Sequence, residues 1–453
     1  MVNQNTIFPG EPMPRTNVFR SSVLFFAFLA LCCTASAQEL PKVLPQEAGL
    51  SADKLQRIDA LFNEAVAKKQ IAGAVVLLAR QGKVGYLQGI GVQDAEAKTP
   101  MTPGTIFRIA SMTKPVTSVA AMMLVDRGAL KLDDPISKYV PEFKVAKVLV
   151  PDKAADPGKY TAVAAERPIT VHHLLTHTSG LTYGFFGKPY LGDLYRNAGV
   201  SDGLIQTEGA IGDNVKRLAK LPLLHQPGSA WEYGLSSDVL GRVIEVASGK
   251  DLDTFFREEI FRPLKMTDTY FFLPAEKKDR FAALYAPNED KTIARVGEGP
   301  MKAGALLYSA SFHYQGPRTF FSGGAGLVST ASDYARFLQM LLNAGELDGI
   351  RLLKAETVAK MTANQIGTLP MGLGNAAFQG VRFGYGFGIL ADAATAKDVA
   401  SAGTYNWGGI FNTAFWVDPR KKLIGVMMTQ LYPSGHVTVA NDFKKLAYES
   451  LTD

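Results

Sequence analysis

Cysteine is almost missing from this sequence, and its two copies, Cys32 and Cys33, sit side by side in the N-terminal segment. Everything after them lacks a thiol, which excludes disulfide bracing, a thiolate-held metal and a cysteine nucleophile from the body of the chain. Runs of one charge are missing too. A net charge of +6 is spread over 48 basic and 42 acidic residues, so no cationic stripe exists to track phosphates, and nucleic acid is excluded as a partner. No H-E-x-x-H pattern is present, and Gly323-Gly324-Ala325-Gly326 lacks the G-x-G-x-x-G spacing of a dinucleotide loop. Neither a metal nor a cofactor is therefore implied. The apolar run at 23–31 falls far short of the roughly 20 residues that span a bilayer.

What is present suits an exported globular protein. At 453 residues and 47% apolar, the chain can bury one large core or two interlocked ones. Arg20, the apolar run and then Ala35-Ser36-Ala37 have the order of a cleavable leader, predicting a signal peptide over 1–37 and release to the periplasm or beyond. Met13 is an alternative start. A lipoprotein anchored at Cys32 is the competing reading, opposed by the bulk of Leu31 before it.

Periodicity then outlines the body, residues 38–453. Ser51 caps a helix with apolar positions at Leu55, Ile58, Leu61, Phe62 and Val66, and the apolar runs 74–79 and 84–90 flank the turn Gln81-Gly82 as a hairpin. Strands are expected at 383–390, 413–417 and 423–430, and a closing helix at 438–451. This predicts an α+β fold: an antiparallel sheet built from both termini, about 45–111 and 362–453, flanked by helices, with a mainly helical region over about 112–361.

Ser111-Met112-Thr113-Lys114-Pro115 opens a stretch to Asp126 that is apolar on nearly every side, as in a central buried helix. Pro115 fits only a first turn, so the helix begins near Ser111 and brings Lys114, three residues on, beside the serine hydroxyl. A serine becomes nucleophilic when a neighbour takes its proton; burial and the positive helix end both disfavour an ammonium there and favour the amine. The Ser111 N–H faces a nascent oxyanion. Tyr233, on the loop 227–235 before a helix, is a candidate acid or base with that pair. Trp407-Gly408-Gly409-Ile410 opens a strand pair whose glycines admit a ligand to the backbone, offering the Ile410 N–H as a second oxyanion donor.

Other signals read as structure. Residues 199–203 match G-x-S-x-G but lack the strand and buried helix of a nucleophile elbow. His172, His173 and His177 read as packing and cap residues, and 323–326 as a turn before a helix capped by Ser332.

In order and separation, Ser111-x-x-Lys114, Tyr233 and Trp407-Gly408-Gly409 resemble the β-lactamase-related serine hydrolases. That group includes class C β-lactamases, D-alanyl-D-alanine carboxypeptidases, family VIII carboxylesterases and transesterases. Residues 169–181 (ITVHHLLTHTSGL), 323–330 (GGAGLVST) and 383–388 (FGYGFG) look like the same family. The resemblance implies a β-lactamase/transpeptidase-like fold and an acyl-enzyme on Ser111, with Lys114 and Tyr233 as general base and acid. Two departures narrow it: Tyr233-Gly234-Leu235 stands for Tyr-x-Asn, and Trp407-Gly408-Gly409 for Lys-Thr-Gly. Tryptophan cannot hold a substrate carboxylate as lysine does. The motifs are similar to those of family VIII esterases, so the expected substrate is a small-molecule carboxylic ester, with Leu235, Trp407, Gly408 and Gly409 as its contacts. The alternatives are a β-lactamase, a carboxypeptidase or D-aminopeptidase, a transesterase on the same site, or a silent envelope binding protein. The segments 183–194 and 299–320 are expected to shape the pocket as loops.

Overall fold

The computed structural model describes residues 10–11, 39–151, 160–186, 189–373 and 376–452. The leader predicted at 1–37 lies outside them apart from Gly10 and Glu11. The unit of interest runs from Ala37 to Asp453.

Both ends of the body meet in one sheet. Its strands are β1 (Gly73–Arg80), β2 (Lys83–Asp94), β3 (Thr99–Pro100), β4 (Val381–Phe383), β5 (Gly388–Leu390), β6 (Tyr405–Gly409), β7 (Thr413–Asp418) and β8 (Leu423–Met428). They lie in the order β4-β5-β6-β7-β8-β1-β2-β3, each pair antiparallel. The N-terminal hairpin is sewn to the C-terminal strands by β1 against β8, from Val75 opposite Met428 to Arg80 opposite Leu423. Every residue of β1 is buried, because both faces of the sheet are covered.

Alternation along β1 sorts its side chains between two cores. Ala74, Val76 and Leu78 face α1 (Ala52–Ala67) and the C-terminal helix Val439–Glu449, where Phe62 and Phe443 meet edge to face at 5.9 Å. Val75, Leu77 and Ala79 face the larger core, which includes α2 (Thr113–Asp126). Ser51 caps α1 by accepting from Lys54 N. From Thr113 to Leu124 every α2 residue is buried, as its all-round apolar pattern requires.

Three expectations need correction. The run 383–390 is two strands, not one: Gly384 N donates to Phe387 O at 2.8 Å, closing a turn that pairs Phe383 with Gly388. The middle region is less uniformly helical than its pattern, since hairpins Lys147–Pro151/Tyr160–Ala164, Tyr285–Pro287/Ile293–Arg295 and Pro300–Ala303/Leu306–Ser309 interrupt it. The helix after the glycine turn, α4 (Ala331–Leu342) once α3 (Ser236–Ser248) is counted, is capped by Thr330 rather than Ser332. The Thr330 side chain accepts from Asp333 N, whereas Ser332 already lies inside the first turn.

Candidate active site

Ser111 sits in a short 3-10 turn, Ala110–Met112, that runs into α2. Ala110 before it has φ of 41°, a left-handed conformation costly for a residue with a Cβ. That strain presents Ser111 half-buried at the floor of a cavity of about 410 Å³. One turn on, Lys114 is 1% exposed, and its Nζ lies 3.1 Å from Ser111 Oγ.

Nζ has two further contacts, Tyr183 Oη at 2.9 Å and Gly324 O at 2.8 Å. An ammonium would fill all three with its protons; a neutral amine has two protons and one lone pair. The carbonyl only accepts, so in the neutral amine the lone pair is open to the Ser111 or the Tyr183 hydroxyl. Tyr183 holds its own proton firmly: burial, then Tyr233, Asp238 and Asp202, push its pKa well above the usual phenol value. Lys114 is thus placed to take the Ser111 proton.

The two tyrosines arrive on loops stitched together. Ser179 Oγ meets Ser236 Oγ at 2.8 Å, Thr182 Oγ1 donates to Glu232 at 2.6 Å, and Glu232 N donates to His177 O at 2.8 Å. His177 packs against Tyr233 with the rings tilted by 40° and their centroids 4.9 Å apart, and burial first, then Lys114, holds its pKa well below the usual imidazole value. Tyr233 turns its ring face to Lys114, with Nζ 4.6 Å from the centroid, and its hydroxyl accepts from the Trp407 indole N–H at 3.1 Å. Among the described residues no hydrogen bond joins the Tyr233 hydroxyl to Ser111 or Lys114. The expected three-way contact is therefore made by Tyr183, which the motif reading passed over as a pocket loop. Its only sequence signal is position, two residues beyond the THTSGL run.

On the opposite side, β6 brings Trp407, Gly408, Gly409 and Ile410 to the same cavity as Ser111 and Tyr233. A Cβ on Gly409 would collide with Ile109 O and Thr413 Oγ1, so only glycine lets this strand approach the serine turn. Ile410 N donates to no backbone acceptor among the described residues, which leaves it free to meet an oxyanion beside the Ser111 N–H.

Leu235 does not belong to the cavity. It is wholly buried, and its carbonyl accepts from Asp238 and Val239 at the start of α3, so its side chain fills core rather than touching substrate. The rest of the wall is mainly apolar, with Phe185, Phe186, Leu204, Met371, Leu373, Phe378 and Val381, and Asn406 adds a polar side chain. Of the two segments expected to shape the pocket, only the start of 183–194 does so. The chain turns into a helix at Pro189–Asn197, and 299–320 does not line the cavity.

The other candidate groups are satisfied elsewhere. Ser201 of the G-x-S-x-G run is buried and bonded to Thr207 Oγ1 at 2.8 Å. His172 Nδ1 contacts Tyr385 Oη at 3.0 Å, and His173 completes a capping box with Thr170.

Comparison with known proteins bears on the family and the fold. The sequence model of the family described as Beta-lactamase matches residues 58–449. Esterase EstB of Burkholderia gladioli is 34% identical over 85% of this chain and 93% of its own. An ML-236A carboxylate methylbutanoyltransferase of Penicillium citrinum is 31% identical over 86% of this chain and 93% of its own. The solved structure of EstCE1, a hydrolase with promiscuous acyltransferase activity, superposes with a TM-score of 0.75 at 27% identity, covering 87% of this chain and 98% of that one.

Proposed function

Since the chain belongs to the beta-lactamase family and is a serine hydrolase of esterase type, we propose that it cleaves uncharged carboxylic esters through an acyl-enzyme on Ser111. The observation that carries this reading is the cavity lining: among the described residues no lysine or arginine lines it, and tryptophan stands where the lysine of Lys-Thr-Gly would meet a carboxylate. An anionic lactam or peptide would have to shed its hydration against aromatic walls, with no countercharge among the described lining residues. A neutral ester gives up much less.

In the first step Ser111 Oγ bonds to the ester carbonyl carbon as Lys114 Nζ takes the hydroxyl proton, and the carbonyl oxygen becomes an anion between the Ser111 and Ile410 N–H groups. Collapse breaks the bond to the leaving alkoxide. Tyr233 supplies that alkoxide with a proton, and water entering the vacated cavity relays the Lys114 proton back to the Tyr233 oxygen. The indole of Trp407 can only donate, so it occupies a lone pair of the Tyr233 oxygen and leaves the phenolic proton to be aimed elsewhere. In the second step water attacks the acyl carbon by the same route, releasing the acid and free Ser111.

A second acceptor is favoured by the same lining. An apolar cavity concentrates an alcohol against water, so transfer of the acyl group to an alcohol should compete with hydrolysis. Export is proposed from Arg20, the run 23–31 and Ala35-Ser36-Ala37.

The test is a panel of p-nitrophenyl esters beside a chromogenic cephalosporin, run on the parent and on Ser111→Ala. Ester cleavage that vanishes in the variant is expected. Cephalosporin turnover without ester cleavage would overturn the assignment.

A further inference from the structure

Asp238 has no part in the mechanism above, yet it is 1% exposed and directed beneath the site from the first turn of α3. Its Oδ1 accepts from Ser322 Oγ at 2.6 Å and from Gly324 N at 3.3 Å, while Oδ2 is buried with no hydrogen-bond partner. Burying a carboxylate this deeply is expensive, as its raised pKa records: burial lifts it, against the pull of Ser322, Lys114 and Gly324. A core aspartate held by two bonds from one turn needs a reason to be there.

The turn it grips supplies one. Gly324 O is the acceptor of Lys114 Nζ, Gly323 O accepts from Thr117 Oγ1 of α2 at 2.7 Å, and Ala325 lines the cavity. Ser322 Oγ also accepts from Ala325 N at 3.0 Å, so one hydroxyl ties the carboxylate to both ends of the turn. A Cβ on Gly324 would strike Asp238 Oδ2 and come within 3.2 Å of Tyr183 Oη. Carboxylate and Tyr183 thus crowd the turn at Gly324, leaving no room there for a side chain.

We propose that Asp238 is a positioning residue that clamps the 322–325 turn so that Gly324 O fixes the Lys114 amine against Ser111. This rests on the acyl-enzyme reading of Ser111 and Lys114. Without the carboxylate, the Ser322 hydroxyl and the Gly324 N–H lose their acceptor in a dry interior, and the turn relaxes to find others. The Gly324 carbonyl then leaves Nζ, and the amine is free to drift from the serine hydroxyl. A drift on the order of 1 Å in a reacting group costs about 10²-fold in rate.

Asp238→Asn, Asp238→Ala and Ser322→Ala separate positioning from mere support of the fold. Each would be measured for kcat and KM on p-nitrophenyl butyrate, for the rate of Ser111 labelling by a fluorophosphonate, and for melting temperature. Asp238→Ala is expected to lower kcat and labelling together by about 10²-fold with KM nearly unchanged. Asp238→Asn, whose amide oxygen can accept both bonds, should recover most of that loss, and Ser322→Ala should fall between. A folded alanine variant that labels at the parent rate would overturn the proposal, as would an asparagine variant as slow as alanine, or a loss confined to KM. If Asp238→Ala does not fold, Ser322→Ala decides: slowed labelling at unchanged KM supports the clamp, and parental labelling removes it. Should the parent label at Ser111 but cleave no ester, the ester reading fails while the labelling rates still test Asp238.

Discussion

The cavity has two walls of opposite character. The inner wall is backed by a layer behind Ser111 and Tyr183, in which Lys114, Gly324 and Asp238 are buried and polar and their hydrogen bonds join distant parts of the chain, though Asp238 Oδ2 has no hydrogen-bond partner among the described residues. The outer wall, Phe185, Phe186, Met371, Leu373 and Phe378, is apolar and borne on short loop segments and a small hairpin, and Phe186 is 36% exposed. Proton transfer tolerates little displacement, so the inner wall ties two helices, a loop and a turn together by hydrogen bonds. Recognition of an apolar group depends on area rather than direction, so the outer wall can be assembled from side chains that any similar shape could replace.

That contrast can be broken at several points. The largest effect is expected at the nucleophile: Ser111→Ala should lower kcat by roughly 10⁴-fold or more while the melting temperature stays at the parent value. A residual rate near the parent's in a purified variant would remove the inner wall from the chemistry altogether.

Next come the two tyrosines, which the geometry separates. Tyr233→Phe should cost about 10²-fold or more in kcat, the value of a positioned acid or base. Tyr183→Phe, losing one hydrogen bond from a phenol that keeps its proton, should cost about 10-fold. The reverse ranking would exchange their roles, with Tyr183 carrying the proton and Tyr233 serving as packing.

On the outer wall the signature should change rather than simply shrink. Phe186→Ala should raise KM for a butyrate ester by up to about 10-fold and leave kcat nearly unchanged, because apolar contact binds substrate and transition state alike. A fall in kcat of the same size would mean that the two walls are mechanically coupled.

The smallest effect concerns stability behind the inner wall. Burial lifts the Asp202 carboxyl to about 7, so the folded chain binds that proton more tightly than the unfolded chain does. Its stabilising contribution is complete below the ordinary carboxyl value of about 4 and is lost as pH rises through about 7. Asp202→Asn keeps an acceptor for Gly184 N and removes the titration. Its melting temperature should rise relative to the parent between pH 4 and pH 8. A constant difference across that range would assign the cost to something other than the charge.

How much of this was legible follows from how local each feature is. The α2 helix and its Ser111–Lys114 pair could be read directly, since Pro115, a run that is apolar on nearly every side and a three-residue spacing favour one conformation. Gly408 and Gly409 were legible for the same reason, a strand that must let something approach. Leu235 was misplaced: it takes the third position of a motif whose usual residue faces substrate, and only the course of α3 shows that this side chain turns into the core. Tyr183 and Asp238 carry no pattern of their own, because what defines them is contact across the fold, Tyr183 with Lys114 and Asp238 with a turn more than eighty residues away.

The sequence by itself therefore determined the pairing of Ser111 with Lys114 one turn on, from which the proposed nucleophile follows, and the tryptophan at 407, each a matter of residue type and short-range geometry. Which phenol reaches that amine, and which carboxylate steadies its acceptor, only the tertiary structure decided. A hydrogen bond is made or lost within about half an ångström, and at that scale the outcome belongs to the packing of separate loops rather than to any one stretch of chain.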